Sequence, residues 1–420
     1  MALDTSPQPR SSYRLMVDPV FGPFLWGKVV SSAGIWIHNI VAAIVAFEIT
    51  GSTFVVGLVS AVQFGPQLFL APLSGKLADR GNAVLQIVVG RLLTALGSGL
   101  LAVWIWLAGG VDGLPGAGPV IGASLIVGLG FVVGGPAMQS IVPTMIRPGE
   151  MAAAMALNSV PMTIARALGP AVGALVAASL GPELAFAIAA ACGTSYALVV
   201  LWLRLPGAPK RKEGTDFSVR ASLRHLRTDP VLALLLAGVA AIGVGADPSM
   251  TLTPALADSL GGGHYLVGWL ASAFGIGAGL GFLGFAPLHR RVGLEVLSSG
   301  GLALMAAGLA LSAVDGQWAA LLLFGVAGIG MTLGFTSLTT LIQNRTPDAL
   351  RGRIMALWFV GFLGARPIAA AANGLLADAF NVDVALVFTA VVVALAAWLC
   401  RPNRLRSPAT TETPTDIGSD

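Results

Sequence analysis

The sequence predicts an all-α integral membrane protein with twelve transmembrane helices in two pseudo-symmetric six-helix bundles. Three observations predict it. Of 420 residues, 55% are hydrophobic and 10% charged, where soluble domains carry about 25% charge. Twelve apolar segments each approach the roughly 20 residues that a helix needs to cross the hydrocarbon layer. The chain also repeats itself: Met155-Ala156-Leu157 recurs as Met355-Ala356-Leu357, and Ala165-Arg166 recurs at the same offset as Ala365-Arg366.

In chain order, a polar N-terminal tail (1–20) leads into a first bundle (21–205) with spans at 24–48, 53–74, 84–108, 119–145, 152–178 and 183–205. The first apolar run is too long for a signal-peptide core and is read as a retained span. A polar linker follows at 206–229, with Lys210, Arg211 and Lys212. The second bundle (230–400) has spans at 231–257, 265–288, 296–314, 318–343, 354–378 and 383–400. A tail at 401–420 is expected to be disordered. Val56-Gly57-Leu58 in the second span matches Val267-Gly268-Trp269 in the eighth, 211 positions on, whereas the arginines are 200 apart. Two offsets imply related halves whose connections differ in length.

Charge placement predicts orientation. Connections near Gly51, Asp112, Gly181, Gly262, Asp315 and Asn381 carry no Lys or Arg. The alternate set holds Arg10, Arg14, Lys76, Arg80, Arg147, the linker, Arg290, Arg291, Arg345, Arg351, Arg353, Arg401, Arg404 and Arg406. By the positive-inside rule both termini are expected to be cytoplasmic, and the expected location is the plasma or inner membrane of the cell. The net charge of +4 thus follows from topology and implies no nucleic-acid partner. Cys192 and Cys400 both lie in apolar runs, so neither a disulfide framework nor a metal site is expected.

A few polar side chains sit inside the spans, where ionisable groups usually mark a pathway. Arg166 and Arg366 lie about a dozen residues from their cytoplasmic helix ends, which at about 1.5 Å per residue is near mid-bilayer. They are candidates to attract an anionic substrate. Asp247, beside Pro248, is the first candidate for a proton-coupling carboxylate. His38, next to Asn39, is a second titratable group at similar depth. Gln63 and Asn158 are candidates to line the cavity, as are Asn373 and, in the tenth span, Thr332, Thr336, Ser337 and Thr340. Arg91 is expected to snorkel to the inner interface, and Glu48 to be a solvated rim charge.

Gly75-Lys76-Leu77-Ala78-Asp79-Arg80 after the second span resembles the loop motif G-x-L-a-D-r of the major facilitator superfamily, and Gly169-Pro170-x-x-Gly173 is similar to its efflux-branch motif. Arg351-Gly352-Arg353, Pro136-Ala137 and the run from Gly51 to Pro66 look like the exporter subgroup that includes enterobactin exporters and macrolide efflux proteins. The resemblance implies the major facilitator fold and a cytoplasmic gate of Gly75, Asp79, Arg80 and Arg353, in which the aspartate approaches the start of span eleven. Three departures matter. Gly81-Asn82-Ala83 shortens the loop, span four lacks the arginine of many proton-coupled drug exporters, and Arg290 stands where the first half has Asp79.

Together these features predict a secondary active transporter that exports a small organic compound, drug-like or siderophore-like, with protons as the coupling ion and no cofactor. Uptake of an organic anion by symport or facilitation is a second reading, and a non-transporting receptor a third. No nucleotide-binding loop or hydrolytic constellation points to an enzyme.

Overall fold

The computed structural model describes residues 10–80, 82–147, 149–205, 229–313, 316–346 and 348–406, with the side chains of 68, 71–80, 348–353 and 356 outside that description. Twelve long helices run through the described residues: α1 (Phe21–Thr50), α2 (Thr53–Arg80), α3 (Ala83–Leu107), α4 (Gly118–Ser140), α5 (Met151–Leu180), α6 (Pro182–Trp202), α7 (Pro230–Ala246), α8 (Gly263–Val292), α9 (Leu294–Leu311), α10 (Gln317–Arg345), α11 (Asp348–Ala379) and α12 (Val382–Leu399). Among the described residues, eleven helical segments are long and apolar enough to cross a membrane. The twelfth, α2, is a 28-residue helix lying between α4 and α11. Only helices satisfy their own backbone groups in lipid, and no strand occurs among the described residues.

Local chemistry sets the helix ends. The Asp18 carboxylate accepts the backbone amides of Val20 and Phe21, both at 2.9 Å, and starts α1. Asp229 accepts those of Val231 and Leu232 at 3.1 and 3.2 Å and starts α7. Each carboxylate also binds an arginine, Arg10 and Arg345 respectively. α1 stops at Gly51, whose φ of +62° permits the left-handed turn. The seventh span was expected to be one helix over 231–257. Instead it breaks at Asp247, continuing as Pro248–Thr251 and Thr253–Ser259, because Pro248 has no amide to donate to the preceding turn.

The internal repeat extends to backbone packing. A methyl group on Gly90 would sit 2.6 Å from the Gly130 carbonyl oxygen, and one on Gly301 would sit 2.9 Å from that of Gly330. Gly57 likewise approaches the Ala370 carbonyl as Gly268 approaches that of Pro170. The offset is therefore 211 through the third helices (301 − 90) and 200 from the fourth onward (330 − 130). All of the drift falls in one place, the longer end of α3 and the connection 108–117.

The cores differ between the halves. In the second half one apolar cluster runs from Val231 and Ile342 to Leu256. In the first half the core is divided, with Phe24, Ile87, Met138, Leu157 and Tyr196 separate from Ile37, Ile40, Leu101 and Phe186. Polar side chains of α1 and α3 occupy the level between them.

Several expected segments meet the structure only in part. The linker, except Asp229, lies outside the described residues, as do 1–9 and 407–420. Within the tail expected to be disordered, Pro402–Leu405 forms a short helix, because Arg401 and Arg404 stack on Trp398 and Leu405 is buried. In the N-terminal tail Arg10 is fixed by Glu150: its backbone amide (2.6 Å), Nε (2.9 Å) and Nη2 (2.7 Å) all donate to that buried carboxylate. These bonds hold the Glu150 carboxyl well below its usual range, at about 2.

Candidate functional site

Arg166 on α5 and Arg366 on α11 come together at the centre, close enough to repel one another. Neither forms a carboxylate ion pair among the described residues. Each lays its guanidinium over an aromatic ring instead, Arg166 at 5.3 Å from the Trp36 centroid and Arg366 at 4.8 Å from that of Phe64. Such stacking leaves the edges of the fork available as donors. The Nη1 of Arg166 also approaches the Met331 sulfur at 3.7 Å.

The sequence around the arginines builds these contacts. Gly169 lies one turn beyond Arg166, and a methyl group there would come within 2.6 Å of the Trp36 Cβ; Gly173 similarly faces Ile37 and Ile40. The Gly169-Pro170-x-x-Gly173 stretch therefore lets α5 close onto α1 and seats Trp36 beneath Arg166. On the other side, the Arg166 carbonyl rests against Gly275 of α8.

Asp247 stands at the α7 break, 2% exposed. Its Oδ1 accepts from Thr251 Oγ1 at 2.8 Å and its Oδ2 from Asn373 Nδ2 at 2.8 Å. Asn373 in turn accepts from Thr389 Oγ1 at 2.7 Å. Arg366 lies within electrostatic range of Asp247. The chain thus brings Arg166, Arg366 and Asp247 into one region. It adds Trp36, Phe64 and Thr389, which sequence reasoning did not single out; Trp36 could have been found from its equivalence to Asp247, since both lie 18 residues past the capping aspartates Asp18 and Asp229 (36 − 18 and 247 − 229).

Other candidates lie elsewhere. His38 is 0% exposed, with Nδ1 3.0 Å from Ser98 Oγ and its ring edge against Phe186. Asn39 accepts a 2.7 Å bond from Gln63, and both are buried. Asn158 sits nearer the basic end, bound to Lys28 and Gln139. In the tenth span, Ser337 and Thr340 bond to carbonyls of their own helix. Glu48 is a half-exposed rim group, 3.8 Å from His264 of the other half. The gate residues Gly75, Asp79, Arg80 and Arg353 have side-chain positions outside the described residues.

The far end, away from the basic loops, is closed by contacts between halves. The Asp378 carboxylate at the end of α11 accepts from Ser52 Oγ, from the Thr53 amide at 2.7 Å and from the Phe54 amide at 3.1 Å, capping α2 across the interface. Deeper in, Ala171 N donates to Ser272 Oγ at 2.9 Å.

The chain is similar to known transporters over nearly its whole length. It is 27% identical to the enterobactin exporter EntS of Salmonella typhimurium (strain LT2) over 359 residues, covering 82% of each chain, and equally to EntS of Escherichia coli (strain UTI89 / UPEC). Its fold matches the crystal structure of a bacterial homologue of the human lysosomal transporter Spinster, inward-facing and unoccupied. The TM-score is 0.73 at 16% identity, covering 93% of this chain and 98% of that one. A bacterial homologue of the iron transporter ferroportin in its inward-facing state matches with a TM-score of 0.71 at 15% identity, covering 95% and 100%. Residues 11–416 match the family model described as transmembrane secretion effector. The protein is an integral, multi-pass membrane transporter of the major facilitator fold, and it belongs to the transmembrane secretion effector family.

Proposed function

We propose that the protein exports a small organic anion in a proton-coupled cycle, by alternating access about the site formed by Arg166, Arg366 and Asp247. The observation that carries this reading is the meeting of two arginines without carboxylate ion pairs among the described residues, one of them, Arg366, within electrostatic range of a buried carboxylate at a helix break. An incoming anion supplies the arginines with the counter-charge that Asp247 gives only in part. The substrate anion and the Asp247 carboxylate then compete for the same cation, so anion binding and protonation of Asp247 are linked, which is the requirement for proton coupling. Likeness to enterobactin exporters supports the outward direction and a siderophore-like compound.

The form seen here is closed at the far end by Asp378, and we read it as open toward the cytoplasm. The opposite gate, Asp79 and Arg80 against the start of α11 and Arg353, closes the basic end when the halves rock. Both termini are then cytoplasmic, in the plasma or inner membrane. His38, Asn39 and Gln63 fit the packing of the first bundle better than a proton route.

A screen in inside-out vesicles with an imposed pH gradient, using matched anionic and cationic compounds, tests this reading. Gradient-dependent accumulation of anions is the expected result. Accumulation unaffected by the gradient, or confined to cations, would contradict it.

A further inference from the structure

A second cationic cluster lies away from the central site, at the level where the first-half core is divided. Lys28 of α1 is 8% exposed, and its Nζ donates to Asn158 Oδ1 at 2.6 Å and to the Asn158 carbonyl at 3.1 Å. Arg91 of α3 is 6% exposed and does not reach the interface as a snorkelling residue would. Its guanidinium donates to Ser31 Oγ at 3.3 Å, one turn along α1 from Lys28, and to the Met138 sulfur at 2.7 Å. Its Nε is buried without a partner, as is the Tyr196 hydroxyl, and the Tyr196 ring lies 5.9 Å from the guanidinium. No carboxylate pairs with either cation among the described residues, and the two repel each other. A hydroxyl and a thioether are weak acceptors for a buried guanidinium.

The second half serves as an internal control. At the 211 offset, Val239 replaces Lys28 and Leu302 replaces Arg91, both 0% exposed. The neighbouring interhelical bond is kept: Asn158 Nδ2 to Gln139 Oε1 at 2.6 Å corresponds, 200 residues on, to Trp358 Nε1 to Thr339 Oγ1 at 3.1 Å. The same helix arrangement is therefore filled by apolar side chains in one half and by two cations in the other. The scaffold does not require the charges. Gln139 is exposed and connects the cluster, through Asn158, to the basic end.

We infer that Lys28 and Arg91, with Ser31, Asn158 and Gln139, form an oxyanion-binding subsite that takes a carboxylate or phosphate group from the basic end. For an exported anion this is a first station before Arg166 and Arg366, and that part rests on the export reading. The binding itself does not.

The test uses full-length protein in phosphatidylcholine nanodiscs, with binding of carboxyfluorescein followed by fluorescence anisotropy and rhodamine 6G as the cationic control. No gradient is applied, so failure of transport leaves the binding result standing. The variant Lys28→Val/Arg91→Leu copies the second half. It should melt at or above the wild-type temperature, weaken carboxyfluorescein binding by about tenfold or more, and leave rhodamine binding unchanged. The same difference should persist in an Arg366→Gln background, which weakens the central pair alone. Discs containing phosphatidylglycerol separate the sources: competition with the dye in wild type, but not in the variant, identifies a lipid headgroup as the oxyanion, and no competition identifies a solute. Equal carboxyfluorescein binding by variant and wild type would overturn the subsite. So would a joint loss of both dyes with a lowered melting temperature.

Discussion

The two halves share a skeleton and differ in chemistry. Gly90 against Gly130 repeats as Gly301 against Gly330, and Gly57 against Ala370 repeats as Gly268 against Pro170. Yet Arg166 faces Trp36 from the first helix of its half, whereas the equivalent position beside Arg366 is Asp247. Lys28 and Arg91 have Val239 and Leu302 as counterparts. Backbone-to-backbone approach leaves no room for change, while side chains between those contacts can diverge. A duplicated scaffold thus keeps one central arginine in each half, with Lys28 and Arg91 added in the first and the Asp247 carboxylate in the second.

Breaking the shared skeleton gives the largest expected effect. Gly90→Leu and Gly301→Leu each force a side chain into a neighbouring backbone, and each should destabilise by about 1–3 kcal/mol or more, seen as equal losses of folded protein by size-exclusion chromatography. Unequal losses would show that the halves are not equivalent in packing. Next come the central arginines. Arg166→Gln and Arg366→Gln should each weaken binding of a transported anion by about tenfold, but only Arg366→Gln should also shift the pH dependence of transport, because Asp247 lies beside Arg366. Equal loss for anions and cations would indicate a structural role instead.

A smaller change is expected at the far end. Asp378→Ala removes a helix cap worth about 1 kcal/mol, so the balance between the two open states should move about fivefold away from the far-end-closed form. Distances between spin labels on α2 and α11 at that end report it. An unchanged distribution would mean that Asp378 is not a latch.

The smallest concerns Glu150. Its carboxyl is held at about 2 by Arg10, below the ordinary 4.5. A depressed carboxyl contributes stability above its unfolded value and loses it as pH falls through the folded one. The melting advantage of wild type over Glu150→Gln, on the order of 2 °C, should therefore hold above about pH 4.5 and disappear toward pH 2.

The skeleton was legible in the sequence because span length, loop charge and the Arg166–Arg366 echo are one-dimensional signals. Asp247 stood out for the same reason, as a carboxylate inside an apolar run. Lys28 and Arg91 were not legible. Both lie near helix ends that face the basic loops, where a charge normally reaches the interface, and only the rotation of α1 and α3 turns them inward. His38 shows the converse: its depth resembles that of the arginines, yet it turns toward Ser98 and Phe186. Depth follows from counting residues. Facing follows from packing.

The division of labour between the halves is tested most directly by Asp247→Asn in inside-out vesicles, comparing two modes of transport of the same anion. Accumulation driven by a pH gradient should fall by about tenfold or more, while exchange at equal pH on both sides, which needs only the arginines, should continue. Gradient-driven accumulation equal to wild type would contradict the account.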